Sequence, residues 1–214
     1  MLYYYRVART VNPAAHARRR AAIVDAAAIE FARNGIDATT TAAICRRAGI
    51  GSGTLFHYFA TKPAIVYAVF ADDAPRVAEL RDRVLAMSDP EDGLAAAIDY
   101  VLHELNDSTA AGLASAAAVQ AGRDPQFADL LQSLDAAKRD ILATLLHRLR
   151  DTGRELPLSP ESCANWILTV VDATHLGLAS EPNTDPRPEL RIIIDWLCGE
   201  STTEGPPARR SRTR

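Results

Sequence analysis

The chain has 214 residues, 48% of them apolar, enough for one large domain or a small domain fused to a medium one, each with a full core. No apolar run reaches the roughly 20 residues needed to cross a bilayer, so a membrane-spanning protein is excluded as an expectation. The net charge of −3 hides a split: residues 1–62 hold nine Arg or Lys against three Asp or Glu, residues 63–204 hold eleven against twenty-four, and residues 205–214 add four Arg. A basic front on an acidic body suits a chain whose front alone meets a polyanion, although charge by itself does not separate DNA from RNA or an acidic membrane.

The opening MLYYYRVAR is aromatic and then basic. It lacks the apolar core and small-residue cleavage site of a signal peptide, and a cytoplasmic location is expected. Residues 1–13 read as a flexible basic arm. Arg6, Arg9 and Arg18–Arg20 are suited to a minor groove or to phosphates.

Helical spacing dominates from there, with no hairpin signal, and the fold class expected is all-α with about nine helices. The first helix spans about Ala14–Asn34. Ile23, Ala26, Ala27 and Phe31 form its apolar stripe, Glu30 is the single polar intrusion, and Gly35 is the stop signal. The second covers about Thr41–Ala48 and is stopped by Gly49. The third covers Ser52–Tyr58. The fourth starts near Lys62, and Pro75 should kink or break it, because proline lacks an N–H and clashes one turn back.

Asp72 and Asp73 read as a solvated turn. After Asp89-Pro90 come a fifth helix (about Glu91–Leu105) and an alanine-rich sixth (about Ala110–Ala121). The seventh is long, Pro125–Asp151. Ser159 caps the eighth, with Pro160 in its first turn, and that helix runs to about Ala179. The ninth spans about Arg187–Cys198. Residues 200–214, rich in Gly, Pro, Ser, Thr and Arg, read as a disordered tail.

Thr39–Lys62 is the informative segment. Thr40 and Thr41 sit where a hydroxyl can cap a helix. Ala43, Ile44, Ala48 and Ile50 supply a small apolar face, and Gly49 permits the left-handed backbone of a tight turn. Leu55 and Phe59 turn inward. Two short helices joined by a glycine turn make a helix-turn-helix, whose second helix enters the major groove by its N-terminal end.

The residues Thr39-Thr40, Ile44, Cys45, Ala48-Gly49-Ile50-Gly51, Gly53-Thr54-Leu55-Phe56, Tyr58-Phe59 and Lys62 resemble the N-terminal signature of the TetR family of bacterial regulators. With Ala26, Ala27, Phe31 and Gly35, the resemblance covers about residues 18–66. It implies that Ser52, Gly53, Thr54 and His57 reach base edges. It places phosphate contacts at Thr40 or Thr41, the aromatic at Phe56, Tyr58 and Lys62. Two departures stand out. Gly51 replaces the usual capping serine, leaving Ser52 as an alternative cap, and Phe56 lacks the usual tyrosine hydroxyl.

The resemblance further implies three regions: a helix-turn-helix domain at 14–61, a helical ligand-binding and dimerisation domain at 62–199, and the tail. The eighth and ninth helices carry more apolar residues than one core stripe needs: Trp166, Ile167, Val170, Val171, Leu176 and Leu178, then Leu190, Ile192–Ile194, Trp196 and Leu197. In the family these helices form a homodimer interface, which predicts a palindromic double-stranded DNA operator.

A small-molecule pocket inside helices four to eight is also implied, with His103, Gln120, Asn165, Thr169 and His175 as polar candidates among apolar surroundings that suit a hydrophobic effector. The expected function is a ligand-released repressor. The alternative is a non-specific architectural DNA-binding protein. No catalytic motif, cofactor fingerprint or metal-ligand spacing is present. The three separated cysteines, Cys45, Cys163 and Cys198, read as small packing residues.

Overall fold

The computed structural model describes residues 13–103, 105, 109–180 and 185–199. The basic arm with Arg6 and Arg9, and the tail from 200, lie outside the described residues. Among the described residues there is helix and no strand. The segments are α1 (Pro13–Ala38), α2 (Thr41–Ala48), α3 (Ser52–Tyr58), α4 (Lys62–Ala71), α5 (Ala74–Leu85), α6 (Pro90–His103), α7 (Ala110–Ala121), α8 (Pro125–Asp151), α9 (Pro160–Ser180) and α10 (Arg187–Leu197). The all-helical expectation holds. The fourth predicted helix is broken into α4 and α5, with Pro75 in the first turn of α5, as its missing N–H requires.

Local chemistry explains the helix ends. Gly35 interrupts α1 at φ 75°, a backbone that side-chain-bearing residues avoid. Asp124 caps α8 by accepting from the Phe127 amide at 3.1 Å, and Ser159 caps α9 by accepting from the Ser162 amide at 3.2 Å.

The chain divides into two compact units between Phe70 and Ala71. This differs from the division expected at residue 62: α4 groups with the helix-turn-helix. In the first unit, Ile23, Ala27, Phe31, Ile44, Leu55 and Ile65 are fully buried. The polar intrusion at Glu30 has a partner on the next helix. Its carboxylate accepts from Arg47 at 2.6 Å and from Asn34 at 3.1 Å, so the charge is buried but paired. Thr39, also buried, donates to the carbonyls of Glu30 and Gly35 at 3.1 and 2.7 Å.

The second unit packs α5, α6, α7 and α9 around α8, and α10 lies against α9. Its core includes Val84, Leu94, Leu145, Leu146, Cys163, Ala164, Ile167 and Ile194. A Cβ on Gly93 would stand 2.9 Å from both Leu145 and the Val84 carbonyl, so glycine sets the close approach of α6 to its neighbours. All three cysteines are buried and free, and burial pushes the Cys163 thiol up from its ordinary value.

Asp72 and Asp73 differ. Asp72 pairs only with Arg76, one turn on, at the exposed surface. Asp73 is no solvated turn residue, as the sequence suggested. It is half-buried, accepts from the Tyr100 hydroxyl at 2.6 Å and pairs with Lys138 at 3.1 Å. It thereby ties the start of α5 to α6 and α8.

Glu30→Ala should destabilise the first unit by about 2 kcal/mol, below the full cost of breaking a buried pair because Arg47 is partly hydrated. Thermal unfolding followed by circular dichroism would show an early loss of helix signal. A wild-type melting profile would mean that the pair contributes nothing.

Candidate nucleic-acid interface

The interface is built from the turn outward. Thr40 has extended backbone, and its hydroxyl accepts from the Ala43 amide at 3.1 Å, so it is the N-cap of α2. Gly49 ends α2 in the left-handed conformation (φ 64°, ψ 35°), and the Ile50 amide returns to the Cys45 carbonyl at 3.0 Å. This closes the tight turn before α3. Gly51 remains the N-cap of α3, with the Thr54 and Leu55 amides both reaching its carbonyl at 3.1 Å. Ser52 is therefore the first helical residue and does not replace Gly51 as the cap.

A seven-residue helix is too short to hold itself. Leu55 and Phe59 anchor it, both buried. The rest of α3 faces out: Ser52, Gly53, Thr54, Phe56 and His57 are exposed and Tyr58 is half-buried. The structure thus brings four of the expected base-reading positions onto one exposed helix, with Thr40 exposed at the start of α2 and Thr41 half-buried beside it.

Lys62 is the first residue of α4. Its Nζ donates to the Asp37 carbonyl at 3.1 Å, so it also fastens α4 to the end of α1. The Thr61 hydroxyl accepts from the Ala64 amide at 3.3 Å and caps α4.

Charge sharpens the picture. From residue 38 to residue 71 there is no Asp or Glu, while Arg46, Arg47, His57 and Lys62 lie within that stretch. Arg18, Arg19 and Arg20 are exposed on α1, and the Arg20 guanidinium sits 5.0 Å above the centre of the Phe59 ring. A stretch of this kind attracts phosphate and contributes no repulsion of its own.

Two features lay outside sequence reasoning. His16, on the first turns of α1, lies against Tyr58 with ring centres 4.5 Å apart. Nothing in the sequence marks residues 42 positions apart as neighbours. Thr39, grouped with Thr40 in the motif, is an interior carbonyl clamp and not a surface residue. Its place before a capping threonine is the only signal of that role.

The second unit holds a half-open cavity of ≈ 290 Å³ between α5 and α8. Val77, Leu134, Ala137 and Ile141 line it, and Arg81 stands in its wall, paired with Asp140 at 2.8 Å. None of the polar residues singled out as effector contacts lines this cavity. His103 is exposed. Gln120 is half-buried and donates to Asp124 one turn on, at 3.3 Å. Asn165 and Thr169 are exposed and bonded to each other through the Thr169 hydroxyl and the Asn165 carbonyl at 2.8 Å. Their helical positions share a face with exposed Trp166, because residues three and four apart point the same way.

His175 is different. It is 5% exposed, and its Nε2 finds no partner among the described residues, as is also true of Arg139 Nε on α8. Beside Arg139 on the same helix, burial raises the Asp135 carboxyl above its ordinary value, against the lowering pull of Lys138 and Arg139.

The apolar excess of α9 and α10 resolves into two faces. Ile167, Val171, Leu190, Ile194 and Leu197 are buried, whereas Trp166, Leu176, Ile192, Ile193 and Trp196 are 44–56% exposed. No helix among the described residues is long and apolar enough to cross a membrane, and none of their His, Cys, Asp or Glu side chains form a group of three able to hold a metal ion.

A helix-turn-helix with an outward recognition helix and a cationic surround, joined to a helical body, defines a DNA-binding transcriptional regulator. Residues 23–69 match the family model for bacterial regulatory proteins of the tetR family. The HTH-type transcriptional regulator UidR of Escherichia coli is 28% identical over 167 residues, covering 75% of this chain and 80% of that protein. A TetR transcription regulator from Haloarcula marismortui superposes with a TM-score of 0.71 at 19% identity, over 85% of this chain and 97% of the other. FadR from Bacillus subtilis, solved in complex with stearoyl-CoA, gives 0.67 at 18% identity, over 83% and 97%. The chain is thus similar to the TetR family of transcriptional regulators, through residues 23–69 and through relatives that are regulators rather than enzymes.

The raised Asp135 value has a definite sign. In the folded state this carboxyl holds its proton to higher pH than in the unfolded chain. Its contribution to stability is therefore fully present below the ordinary aspartate range. It is lost as pH rises through the raised value. Asp135→Asn should consequently melt at a higher temperature than the wild type at neutral pH, with the difference closing in acid. An Asn variant that is less stable at neutral pH would show that Arg139 and Lys138 outweigh the burial.

Proposed function

We propose that the protein is a ligand-responsive repressor that binds a palindromic operator as a homodimer. The observation that carries the DNA-binding part is the exposed face of α3. It is anchored by Leu55 and Phe59 and lies in a stretch free of acidic residues. Ser52, Gly53, Thr54 and His57 are the base-reading positions. Thr40, Thr41, Tyr58 and Lys62 contact phosphates. Phe56 contributes packing only, for want of a hydroxyl. DNA as partner makes the cytoplasm its place of work.

The dimer reading rests on the outward face of α9 and α10. Five large apolar side chains, two of them tryptophan, are about half exposed there. A patch of this kind is costly on a monomer and typical of an interface core. Asn165 and Thr169 belong to that face, as a polar rim to the tryptophan. The C-terminal unit at 71–199 then has two tasks, dimerisation and effector binding.

The effector reading rests on the apolar α5–α8 cavity and on the unbonded buried nitrogens of His175 and Arg139. A small, mostly apolar molecule suits the cavity, and a polar atom of an effector would satisfy either nitrogen. FadR, similar in fold, is solved in complex with stearoyl-CoA, a ligand with a long apolar acyl chain on a charged coenzyme. Release from DNA would follow if the effector binds more tightly to a form whose two recognition helices no longer match the half-site spacing.

Titration of the DNA flanking its own gene against scrambled DNA, at rising salt, tests the reading. Preference for the flanking DNA that persists as salt rises is expected. Equal binding to both would leave the architectural alternative. Lys62→Ala should weaken both DNAs alike and reduce the salt slope by about 1, whereas Thr54→Ala should act mainly on the specific site. If neither variant alters binding, the DNA face is misassigned.

For the dimer, Trp196→Glu should convert the protein to a monomer by light scattering and weaken operator binding. A variant that remains dimeric would place the interface elsewhere.

A further inference from the structure

We propose that His16, stacked on Tyr58 beside the base-reading His57, forms a phosphate-binding site on the DNA face, and that His16 takes up a proton from solvent when DNA binds. The inference rests on the reading of α3 as the DNA-recognition helix. His16 lies outside residues 23–69, the segment that the family model matches, so nothing assigns it a role.

The geometry is a three-ring stack joining two helices. His16 lies against Tyr58 at 4.5 Å with the planes 36° apart. His57 meets the same ring edge-on at 5.3 Å, and the two imidazoles are 6.3 Å from each other. One turn along α1, Arg20 sits over Phe59. Residues 16 and 20 of α1 thus dock on residues 58 and 59, at the C-terminal end of α3. The stack positions the Tyr58 ring and extends the α3 surface onto the first turns of α1. Tyr58 and His16 are half-buried and His57 is exposed, so ring nitrogens and the phenol oxygen remain within reach of an incoming phosphate.

The charges around the stack decide its chemistry. On α1 they are Arg18, Arg19 and Arg20. On α2 they are Arg46, exposed, and Arg47, committed to Glu30. On α4 there is Lys62, bonded to the Asp37 carbonyl. The acids of this unit are placed elsewhere. Glu30 is occupied by Arg47 and Asn34, Asp25 lies nine residues from His16 on the opposite side of the helix, Asp37 lies at the far end of α1 beside Lys62, and none occurs from 38 to 71.

Among the described residues His16 has no carboxylate partner, and DNA would bring it an anionic neighbour. A phosphate beside it favours the charged form. A cation above a phenol ring is further stabilised by the ring face. His57, 6.3 Å away, is left to the bases, so one proton per subunit, on His16, is the expected uptake.

The test is fluorescence anisotropy of the full chain with two labelled duplexes, one from DNA flanking its own gene and one scrambled, at fixed salt between about pH 6 and pH 8. Affinity should rise as pH falls, by up to about tenfold per pH unit for each proton, so up to about a hundredfold for a bound dimer. His16→Phe keeps a ring against Tyr58 but cannot titrate, and should flatten the profile on both duplexes, since a phosphate contact carries no sequence information. His16→Arg restores the charge without titration and should bind tightly with a flat profile; it also keeps the proposal testable if the Phe variant misfolds. A wild-type pH slope in either variant overturns the cluster while leaving the DNA-binding reading intact. Failure of the wild type to bind either duplex overturns both.

Discussion

The presentation of α3 depends on one buried ion pair. Glu30 stands in the apolar stripe of α1, where an unpaired carboxylate would cost several kcal/mol. Arg47 of α2 and Asn34 of α1 take up its oxygens, and Thr39 holds the Glu30 and Gly35 carbonyls where α1 ends. Replacing such a pair with aliphatic residues would raise stability as often as lower it. What the pair supplies is direction: a carboxylate–guanidinium contact is satisfied over a narrow range of positions, so α2 is fixed against α1 in angle as well as in distance. Gly49 then sets the turn, Leu55 and Phe59 seat α3, and whatever α3 does not bury becomes the face offered to DNA.

The two units solve opposite electrostatic problems with the same kind of helix. Residues 38–71 exclude acids altogether, so α2, the turn, α3 and α4 themselves present nothing that repels phosphate. Beyond residue 71, acids return in excess and are used structurally. Asp73 joins α5, α6 and α8 through Tyr100 and Lys138, and Arg191 joins α10 to Asp99 of α6. An acidic body also repels DNA wherever it is not meant to sit, which favours docking by the basic unit alone.

Much of this was legible in the sequence, and the boundary of legibility has a physical form. Gly35, Gly49, Pro75, Asp124 and Ser159 act through their own backbone or within one turn, so their effects could be read from local chemistry. The α2–α3 pair was readable because capping, turn and anchor residues fall within 20 positions and agree with one another. Partnerships across helices were not readable. Glu30 looked like a flaw in a stripe because Arg47 lies 17 residues away, and Asp73 looked solvated because Tyr100 lies 27 away. Both depend on helix crossing angles that periodicity does not encode. The excess of apolar residues on α9 and α10 was visible as an amount. Which of them face inward was not, and neither was the exposed position of Asn165 and Thr169.

The same distinction bears on the interior of the second unit. A core shaped for stability alone would not keep His175 almost fully buried with Nε2 unbonded, nor Arg139 Nε likewise, since each orphaned group costs about 1–3 kcal/mol. Nearby, α7 has alanine at seven of its twelve positions, side chains too small to fill space tightly against α8 and α9, which both pack on it. Unbonded donors, small side chains and a carboxyl raised by burial are all departures from the best-packed state, and they gather on helices that touch one another. In the proposed reading they are what makes the unit responsive. On that reading, a molecule that partners those nitrogens would recover the lost hydrogen bonds, and the recovered free energy would be the differential affinity by which it shifts the population of DNA-competent dimers.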